Sequence, residues 1–375
     1  MHTGMFTAYS PEELALGIHE QRSRFAPTLA IVFSSPSLDI GECIQVLAGS
    51  GCAVFGASTA GEILTGAGAS PVYEQSVTCC LVDPDPSVFA ARLFPREAGS
   101  SFELGEEAGR WAASCFTRPA ILVAVSGLTN NSEAVIRGME KHLPPGTVIA
   151  GGVAADDMGF LETVVFTHEA LSNDGIVVLA LDTAHVSLAS FTTSGWTGVG
   201  VEMTVQSSEG NIVRQIDGKK PLDLVSEYLN INKEVVVSTA LSFPMLVRKP
   251  DGGEVLRTAL SADYKTGALI YAGSVPEGSK IRFSSSFGIE TIEKTVRELI
   301  AYYEKNPEAD LVILFDCCAR HQAAGAHVTD EISVISDLWK VPVIGFFTYG
   351  EIGHAPAGNC DLFNETLSLA LLTFR

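Results

Sequence analysis

One glycine-rich, carboxylate-bearing turn motif occurs twice in the sequence. "GASTAGEI" (56–63) and "GFFTYGEI" (345–352) share the pattern Gly-x-x-Thr-x-Gly-Glu-Ile. Glycine lets a backbone approach a ligand closely, and α/β sheets bind ligands beyond the carboxyl ends of their strands. Glu62 and Glu351 are therefore candidate contacts for an ammonium group. The alternative is that each carboxylate stabilises its own turn by accepting backbone N–H groups.

If the two turns are equivalent strand ends of paired domains, pseudo-symmetry should bring them to one cleft. Glu62 and Glu351 would then lie within roughly 12 Å of each other across a single pocket. Two carboxylates in one cleft repel, so at least one should have a raised pKa until a cationic group arrives. The other side chains expected near this cleft are Thr59, Thr348, Tyr349 and Arg320.

Two adjacent cysteines and an arginine follow a buried strand, in "FDCCAR". Cys317 or Cys318 could act as a nucleophile if a base such as His321 or His327 lay nearby. Buried cysteine is otherwise a small apolar filler. Arg320 has a planar fork that suits a ligand carboxylate, and its alternative is an ordinary ion pair.

A third set of polar residues lies at the next predicted strand ends. "SGLTNNSE" (126–133) carries hydroxyl and amide side chains, of which helix capping explains one. Ser126 and Asn130 remain as candidate ligand contacts. Asp156, in "AGGVAADD", stands where the two other turns carry glutamate and joins the same set.

These residues belong to a repeated β–α–β motif. Each copy is a short apolar strand, an amphipathic helix and a second strand that ends in the acidic turn. The predicted strand pairs are "TLAIVFS" with "CAVFGAS", "AILVAVSG" with "TVIAGG", and "DLVILF" with "VPVIGFF". We therefore predict an α/β fold of mixed β-sheets flanked by helices, in two interlocked pseudo-symmetric domains with right-handed parallel crossovers.

Further patterns divide the chain. Ile289–Tyr303 has a helical apolar stripe, and the segment around Asp251 predicts a hairpin. The turn-rich stretch Asp217–Pro221 marks the predicted domain boundary. The predicted units are an N-terminal extension (1–25), a first domain (26–217) and a second domain (218–375).

Composition narrows the function classes. The chain has 375 residues, 46% of them hydrophobic, and a formal net charge of −20, which disfavours nucleic acid and anionic membrane surfaces. No apolar run approaches the roughly 18–20 residues that span a bilayer. The eight cysteines form no Cys-x-x-Cys, and the first residues lack a signal-peptide pattern. A cytoplasmic protein without membrane or nucleic-acid partners is expected.

Several blocks resemble one known family. "SGWTGVGVEMTVQSSEGNIVRQIDGKKPLDLVSEYL" (194–229) is similar to the hallmark of FIST proteins. "SVPEGSKIRF", "FDCCAR", "GFFTYGEIG" and "FNETLSLALL" resemble successive blocks of the FIST C-terminal domain, and "GASTAGEI" and "AGGVAADD" resemble blocks of the N-terminal one. The resemblance covers residues 26–375, with its motifs in the family's order.

The resemblance implies an intracellular sensory module that binds a small ligand. Amino acids are the ligand class proposed for the family, and some members bind haem and sense nitric oxide. The implied partner is a signalling protein such as a histidine kinase or a cyclic-nucleotide enzyme. The chain departs from the family at His354, where an uncharged residue is usual, and at Cys317-Cys318, where one cysteine is common.

The expected function is a stand-alone, non-enzymatic sensor that holds an amino acid or similar small polar ligand between its domains, without a cofactor. One alternative is haem-based nitric oxide sensing, for which His354 is the best ligand candidate. The other is a cysteine-dependent enzyme that uses Cys317 or Cys318. The residues left open for ligand binding are Thr59, Glu62, Ser126, Asn130, Asp156, Cys317, Arg320, Thr348, Tyr349 and Glu351.

Overall fold

The computed structural model describes residues 1–66, 70–240, 242–285, 288–354 and 360–375. Its helices are α1 (Pro11–Arg22), α2 (Ile40–Ala48), α3 (Ser101–Cys115), α4 (Ser132–Glu140), α5 (Pro221–Leu229), α6 (Val236–Ala240), α7 (Ile289–Tyr303), α8 (Cys318–Ala324) and α9 (Val328–Trp339). Among the described residues, no helix is long and apolar enough to cross a membrane.

The strands of the first half are β1 (Thr3–Ala8), β2 (Leu29–Ser34), β3 (Ala53–Ser58), β4 (Glu62–Leu64), β5 (Val72–Tyr73), β6 (Val77–Val82), β7 (Phe89–Pro95), β8 (Pro119–Val125), β9 (Ile149–Val153), β10 (Val165–Phe166), β11 (Leu171–Ser172), β12 (Gly175–Asp182) and β13 (Val186–Thr193). The strands of the second half are β14 (Thr197–Glu209), β15 (Ile212–Ile216), β16 (Met245–Arg248), β17 (Glu254–Arg257), β18 (Ala259–Asp263), β19 (Ala268–Tyr271), β20 (Lys280–Ser285), β21 (Leu311–Cys317), β22 (Val343–Thr348), β23 (Glu351–His354), β24 (Cys360–Phe363) and β25 (Leu367–Phe374).

Three of the sheets are built to one plan. The first sheet has the order β1-β6-β2-β3-β10-β11, the second β7-β12-β8-β9-β23-β24, and the third β13-β25-β21-β22-β4-β5. Each contains one parallel pair, β2 with β3, β8 with β9, or β21 with β22, and its other pairings are antiparallel. The predicted α/β fold with mixed sheets is confirmed, and the weaker third copy in the sequence proves to be a full structural unit.

The three sheets exchange strands in a cycle. After β3 the chain enters the third sheet as β4, after β9 it enters the first sheet as β10, and after β22 it enters the second sheet as β23. The repeated turn is therefore the point at which the chain leaves one sheet for the next. This exchange is the physical form of the predicted interlocking.

The sheets enclose a common apolar core. One cluster contains buried residues from the inner faces of all three sheets, among them Phe33, Leu122 and Phe315. Their outer faces are covered by helices: α1 and α2 on the first, α3 and α4 on the second, and α7 and α9 on the third. Buried apolar side chains on a face of each helix explain why these segments are helical.

A fourth, antiparallel sheet has the order β17-β16-β20-β14-β15-β19-β18 and its own core with α5 and α6. The predicted hairpin is confirmed as β16 and β17, which pair from Met245↔Arg257 to Arg248↔Glu254. Phe363 of β24 packs into the core of this sheet, which ties it to the second sheet.

The glycines Gly56, Gly151 and Gly345 occupy equivalent positions before the three exchange points. A Cβ atom on Gly345 would lie 2.1 Å from the Leu314 carbonyl oxygen, and one on Gly151 would lie 1.8 Å from that of Val123. We predict that Gly345→Ala lowers the free energy of unfolding by about 4 kcal/mol or prevents folding, because backbone on the neighbouring strand must move. Urea unfolding followed by circular dichroism measures this.

Gly41→Ala in α2 is the control, since its Cβ would approach only the Asp39 side chain, at 3.1 Å. This variant should fold and keep its stability, or gain up to about 1 kcal/mol, because alanine loses less backbone entropy than glycine when the chain folds. Equal effects of the two substitutions would contradict the role assigned to the strand glycines.

Candidate functional site

A cavity of about 430 Å³ opens where the ends of β8 and β21 face the fourth sheet. Its size falls in the range of small-molecule sites, and its place beyond strand carboxyl ends is typical of ligand sites in α/β sheets. Its walls are the loop and first turn of α4 (127–133), Val153, Met158 and Phe160, Gly210 and Asn211, Thr258 and Leu260, the segment 271–274, the segment 317–319, Tyr349, Leu362 and Asn364.

The structure brings only part of the predicted set to this cavity. Of the ten candidate residues, Asn130, Cys317 and Tyr349 line it, and Cys318 lines it beside them. The other seven lie outside its walls: Thr59, Glu62, Ser126, Asp156, Arg320, Thr348 and Glu351.

The two glutamates of the repeated turn close their own turns. Glu62 accepts a hydrogen bond from the Thr59 hydroxyl. It also accepts the Ser76 hydroxyl at 2.5 Å and the Ser76 N–H at 3.2 Å. Glu351 does the same with the hydroxyls of Thr348 at 2.5 Å and Thr366 at 2.7 Å. Both carboxylates are completely buried.

The expectation that these carboxylates share a ligand cleft is therefore corrected. Glu62 begins β4 in the third sheet and Glu351 begins β23 in the second, and each carboxyl group is occupied by hydroxyl groups around its own turn instead of facing the cavity. Their pKa values are raised, for Glu62 to about 7, but the leading cause is burial and not mutual repulsion. The alternative reading, a turn-stabilising carboxylate, is what the structure has.

Asp156 is also a turn residue, although its position differs from that of the glutamates. It accepts the N–H groups of Phe160, Leu161 and Glu162 at 2.9, 2.6 and 2.9 Å, and the hydroxyl of Tyr349. The equivalent of Glu62 in this unit is not Asp156 but Val165, which pairs with Ala57 of β3. The sequence alignment of the three copies missed this because the second unit has a longer exchange turn.

That longer turn forms one wall of the cavity. Asp157, Met158 and Phe160 have φ angles of 50°, 63° and 51°, which are costly for residues other than glycine. Phe160 stacks on Tyr349 with ring centroids 4.6 Å apart. The Asp156 carboxylate and this stacking hold the strained turn against the cavity.

Arg320 belongs to a buried ion-pair network and does not reach the cavity. It donates to Glu331 at 2.5 Å and to Asp316 at 3.4 Å, and all three side chains are buried. Burial raises the pKa of Asp316 to about 7 and the nearby Glu331 charge adds to this rise, whereas the Arg320 guanidinium opposes it. The ordinary ion pair is thus the role that the structure gives Arg320.

The two adjacent thiols line the cavity. The contact with Cys318, and then burial, raise the pKa of Cys317 well above its usual value, which disfavours a thiolate. His321, the nearest base in the sequence, stacks on Phe347 at 4.0 Å, and burial lowers its pKa. Among the described residues, no histidine lines the cavity.

Ser126 and Asn130 stabilise, through hydrogen bonds, the loop before α4 that forms one wall of the cavity. The Ser126 hydroxyl donates to the Gly175 carbonyl at 3.0 Å and accepts the Gly175 N–H at 2.8 Å. The Asn130 amide donates to Ser126 at 2.9 Å and to Asp174 at 3.1 Å. Asn131 is the helix cap, as one of the capping alternatives predicted, because its side chain accepts the Ala134 N–H.

A largely buried charge cluster, which we name the clasp (Glu133, Lys249, Arg257 and Asp361), joins α4 to the fourth sheet. Arg257 donates to Glu133 at 2.7 Å, and Lys249 donates to Asp361 at 2.7 Å and to Glu133 at 3.5 Å. Ser274 adds an N–H at 2.8 Å and a hydroxyl at 2.9 Å to Glu133. Burial by itself would raise the Glu133 pKa, but Arg257, Lys249 and Ser274 outweigh it and lower that pKa.

Sequence reasoning missed the clasp. Its ion-paired members are separated by more than a hundred residues and follow no spacing rule. One signal was present in Gly273, since a Cβ atom there would lie 2.7 Å from the Arg257 guanidinium. A glycine after a strand indicates such a close approach, but it does not name the group that approaches.

His354, the haem candidate, lies in β23 and does not line the cavity. Its Nε2 accepts the Ile149 N–H at 3.1 Å, which occupies the atom that would bind iron. His354 in this arrangement therefore does not fit the role of an axial ligand to haem iron. The described residues also contain no group of three or more histidine, cysteine or acidic side chains placed to hold a metal ion.

Comparison with protein families gives two matches that together span most of the chain. The FIST N domain matches residues 28–219, and the FIST C domain matches residues 221–354. A search of the curated proteins gives no match.

The clasp predicts a specific loss of stability. Glu133→Gln should lower the free energy of unfolding by about 3 kcal/mol, because it leaves the buried Arg257 charge without its partner. Glu140→Gln, on the same helix, is the control: its pair with Arg137 is half-exposed and should contribute less than about 1 kcal/mol. Urea denaturation compares them, and equal losses would contradict the structural role of the clasp.

Buried carboxyl groups predict that stability falls as the pH rises. Burial raises the pKa of Glu62 to about 7, of Asp316 to about 7 and of Glu365 to about 8, against about 4 in the unfolded chain. The native state therefore holds more protons than the unfolded state between pH 4 and 8, so stability decreases through this window.

Unfolding free energies at pH 5.5, 6.5 and 7.5 test this dependence. Glu62→Gln should reduce the slope below pH 7, whereas Glu20→Gln on the exposed face of α1 should leave it unchanged. A stability that increases with pH over this window would show that these carboxyl groups are ionised in the folded protein.

Proposed function

Because the chain belongs to the FIST family of signal-transduction sensor domains, we propose that it is a stand-alone sensory module. It binds a small polar ligand in the cavity and reports occupancy to a partner protein. The partner is a signalling enzyme such as a histidine kinase or a cyclic-nucleotide enzyme, and the protein acts in the cytoplasm without a catalytic step of its own.

The observation that carries this proposal is the composition of the cavity walls. The segment 127–133 belongs to the part of the chain that matches the FIST N domain, whereas 271–274 and 317–319 belong to the part that matches the FIST C domain. A ligand in the cavity contacts both parts at once. Its binding energy can therefore favour one relative arrangement over another, and a partner can respond to that shift in population.

The surroundings of the cavity favour binding over catalysis. The raised pKa of Cys317 disfavours its thiolate, and the cavity walls among the described residues supply no histidine to activate either thiol. The expected amino-acid ligand rested on Glu62, Glu351 and Arg320, whose groups are engaged elsewhere. The proposal is accordingly for a small polar ligand of the cavity, with amino acids as one class to be screened.

A thermal-shift screen over amino acids, other small metabolites and haemin tests the proposal. A ligand at a hundred times its dissociation constant should add about 2.7 kcal/mol to stability. Ala319→Trp should abolish this gain, because Ala319 lines the cavity and an indole would occupy it. Ala323→Trp, which is exposed on the same helix, should respond like the original protein.

Two results would contradict the proposal. One is a ligand whose stabilising effect survives Ala319→Trp in a variant with unchanged circular dichroism, since the ligand would then bind elsewhere. The other is stoichiometric haem uptake with a Soret band, which would establish the haem alternative. Glu62→Gln and Glu351→Gln should leave ligand affinity unchanged, because neither residue lines the cavity.

A further inference from the structure

The charged groups at the cavity neutralise one another. Glu133 is the one ionisable carboxyl among the described lining residues, and it already receives Arg257 and, more distantly, Lys249. The clasp as a whole contains two cations and two carboxylates, so its formal charge is zero. The described walls offer no lysine or arginine, and the raised pKa of Cys317 disfavours its thiolate.

The same walls contain hydrogen-bond donors without partners. The first turn of α4 leaves the N–H groups of Ser132 and Glu133 unpaired among the described residues. Its first paired groups are the Ala134 N–H, which donates to the Asn131 side chain, and the Val135 N–H, which donates to the Asn131 carbonyl. Unpaired N–H groups at a helix start are ready to bind an acceptor.

A buried side chain adds an independent donor. Asn364 lines the cavity and is 2% exposed. Its Oδ1 accepts from Arg257 at 3.3 Å, which fixes the orientation of the amide and turns Nδ2 away from the guanidinium. No described residue accepts a hydrogen bond from this Nδ2, although the residue as a whole is almost fully buried, so a ligand oxygen in the cavity can take this donor.

We propose that the cavity binds an uncharged molecule through a carbonyl-type oxygen, which accepts hydrogen bonds from the first turn of α4 and from the Asn364 amide. This inference rests on the proposed function and specifies its ligand class. Amides, lactams, ureas and neutral ketones belong to the class, whereas free amino acids, which carry two charges, do not.

Charge excludes the closest competitor, a carboxylate. A helix start attracts anions, but the Glu133 carboxylate already lies in this first turn and would repel a second anion. A ligand carboxylate would also find no unpaired cation among the described walls, and a buried unpaired charge is strongly disfavoured. A neutral oxygen takes the same donors without that repulsion.

The opening of the cavity indicates the remainder of the ligand. Leu128, Phe160 and Leu260 line the cavity and are 41%, 49% and 48% exposed, so they lie where it meets solvent. Exposed apolar side chains around a cavity are typical of a ligand-binding rim. The ligand class therefore combines a polar, uncharged head with an apolar body.

Three isosteric probes test the inference: acetamide, acetate and acetamidinium, which share a planar shape and differ in charge. Each is titrated into ¹⁵N-labelled full-length protein while the backbone amide signals of Ser132 and Glu133 are followed by NMR. We expect saturable shifts of both signals with acetamide, at least fivefold weaker binding of acetate, and no shift with acetamidinium.

Asn364→Leu removes the side-chain donor and should weaken acetamide binding about fivefold. Asn173→Leu is the matched control, because Asn173 occupies the equivalent turn before β12 and is exposed. Tighter binding of acetate than of acetamide, an unchanged acetamide affinity in Asn364→Leu, or no shift with any probe would each overturn the inference. The proposed function would survive these outcomes if the metabolite screen still found a ligand sensitive to Ala319→Trp.

Discussion

The whole arrangement depends on the exchange of strands among three equivalent sheets. Each β–α–β unit sends the chain from its second strand into a neighbouring sheet, so no sheet is complete without residues of another unit. The turns at these exchange points are buried, and their backbone and hydroxyl groups need partners there. Glu62 and Glu351 supply those partners, which explains the repeated sequence as a requirement of folding.

The three units that exchange strands are structurally alike, so a single ligand site requires a feature that distinguishes one region of the molecule from the other two. The fourth sheet provides this difference, since it covers the ends of β8 and β21. The clasp joins the fourth sheet to α4, and its cations and carboxylates pair with one another. What remains facing the cavity are thiols, amides and apolar side chains, and this chemistry suits recognition of a small molecule better than its chemical conversion.

The sequence predicted the parts of the fold that local patterns specify. The strands of the three units follow from short apolar runs between turn residues, and α7 was predicted with the bounds Ile289–Tyr303 that the structure has. The predicted Gly-Glu-Ile turns lie at strand ends, and three of the candidate residues, Asn130, Cys317 and Tyr349, line the cavity. Periodicity and turn chemistry are short-range signals, so they reach this far.

The remainder depended on contacts between distant residues. Sequence equivalence of Glu62 and Glu351 suggested a common ligand cleft, but each carboxyl group is engaged by hydroxyl groups around its own turn and neither lines the cavity. Arg257 and Glu133 are 124 positions apart, and nothing in their neighbours signals that they meet. Val165 replaces the expected Asp156 because the turn of the second unit is longer, which the motif comparison did not register.

The most direct measurement of the central claim is a crystal structure of the protein with a ligand identified by its thermal stabilisation. The account predicts density for that ligand in the cavity, with an acceptor oxygen within hydrogen-bond distance of the Ser132 and Glu133 N–H groups and of the Asn364 amide. Density at the Glu62 or Glu351 turn, or on a surface away from the fourth sheet, would contradict the account.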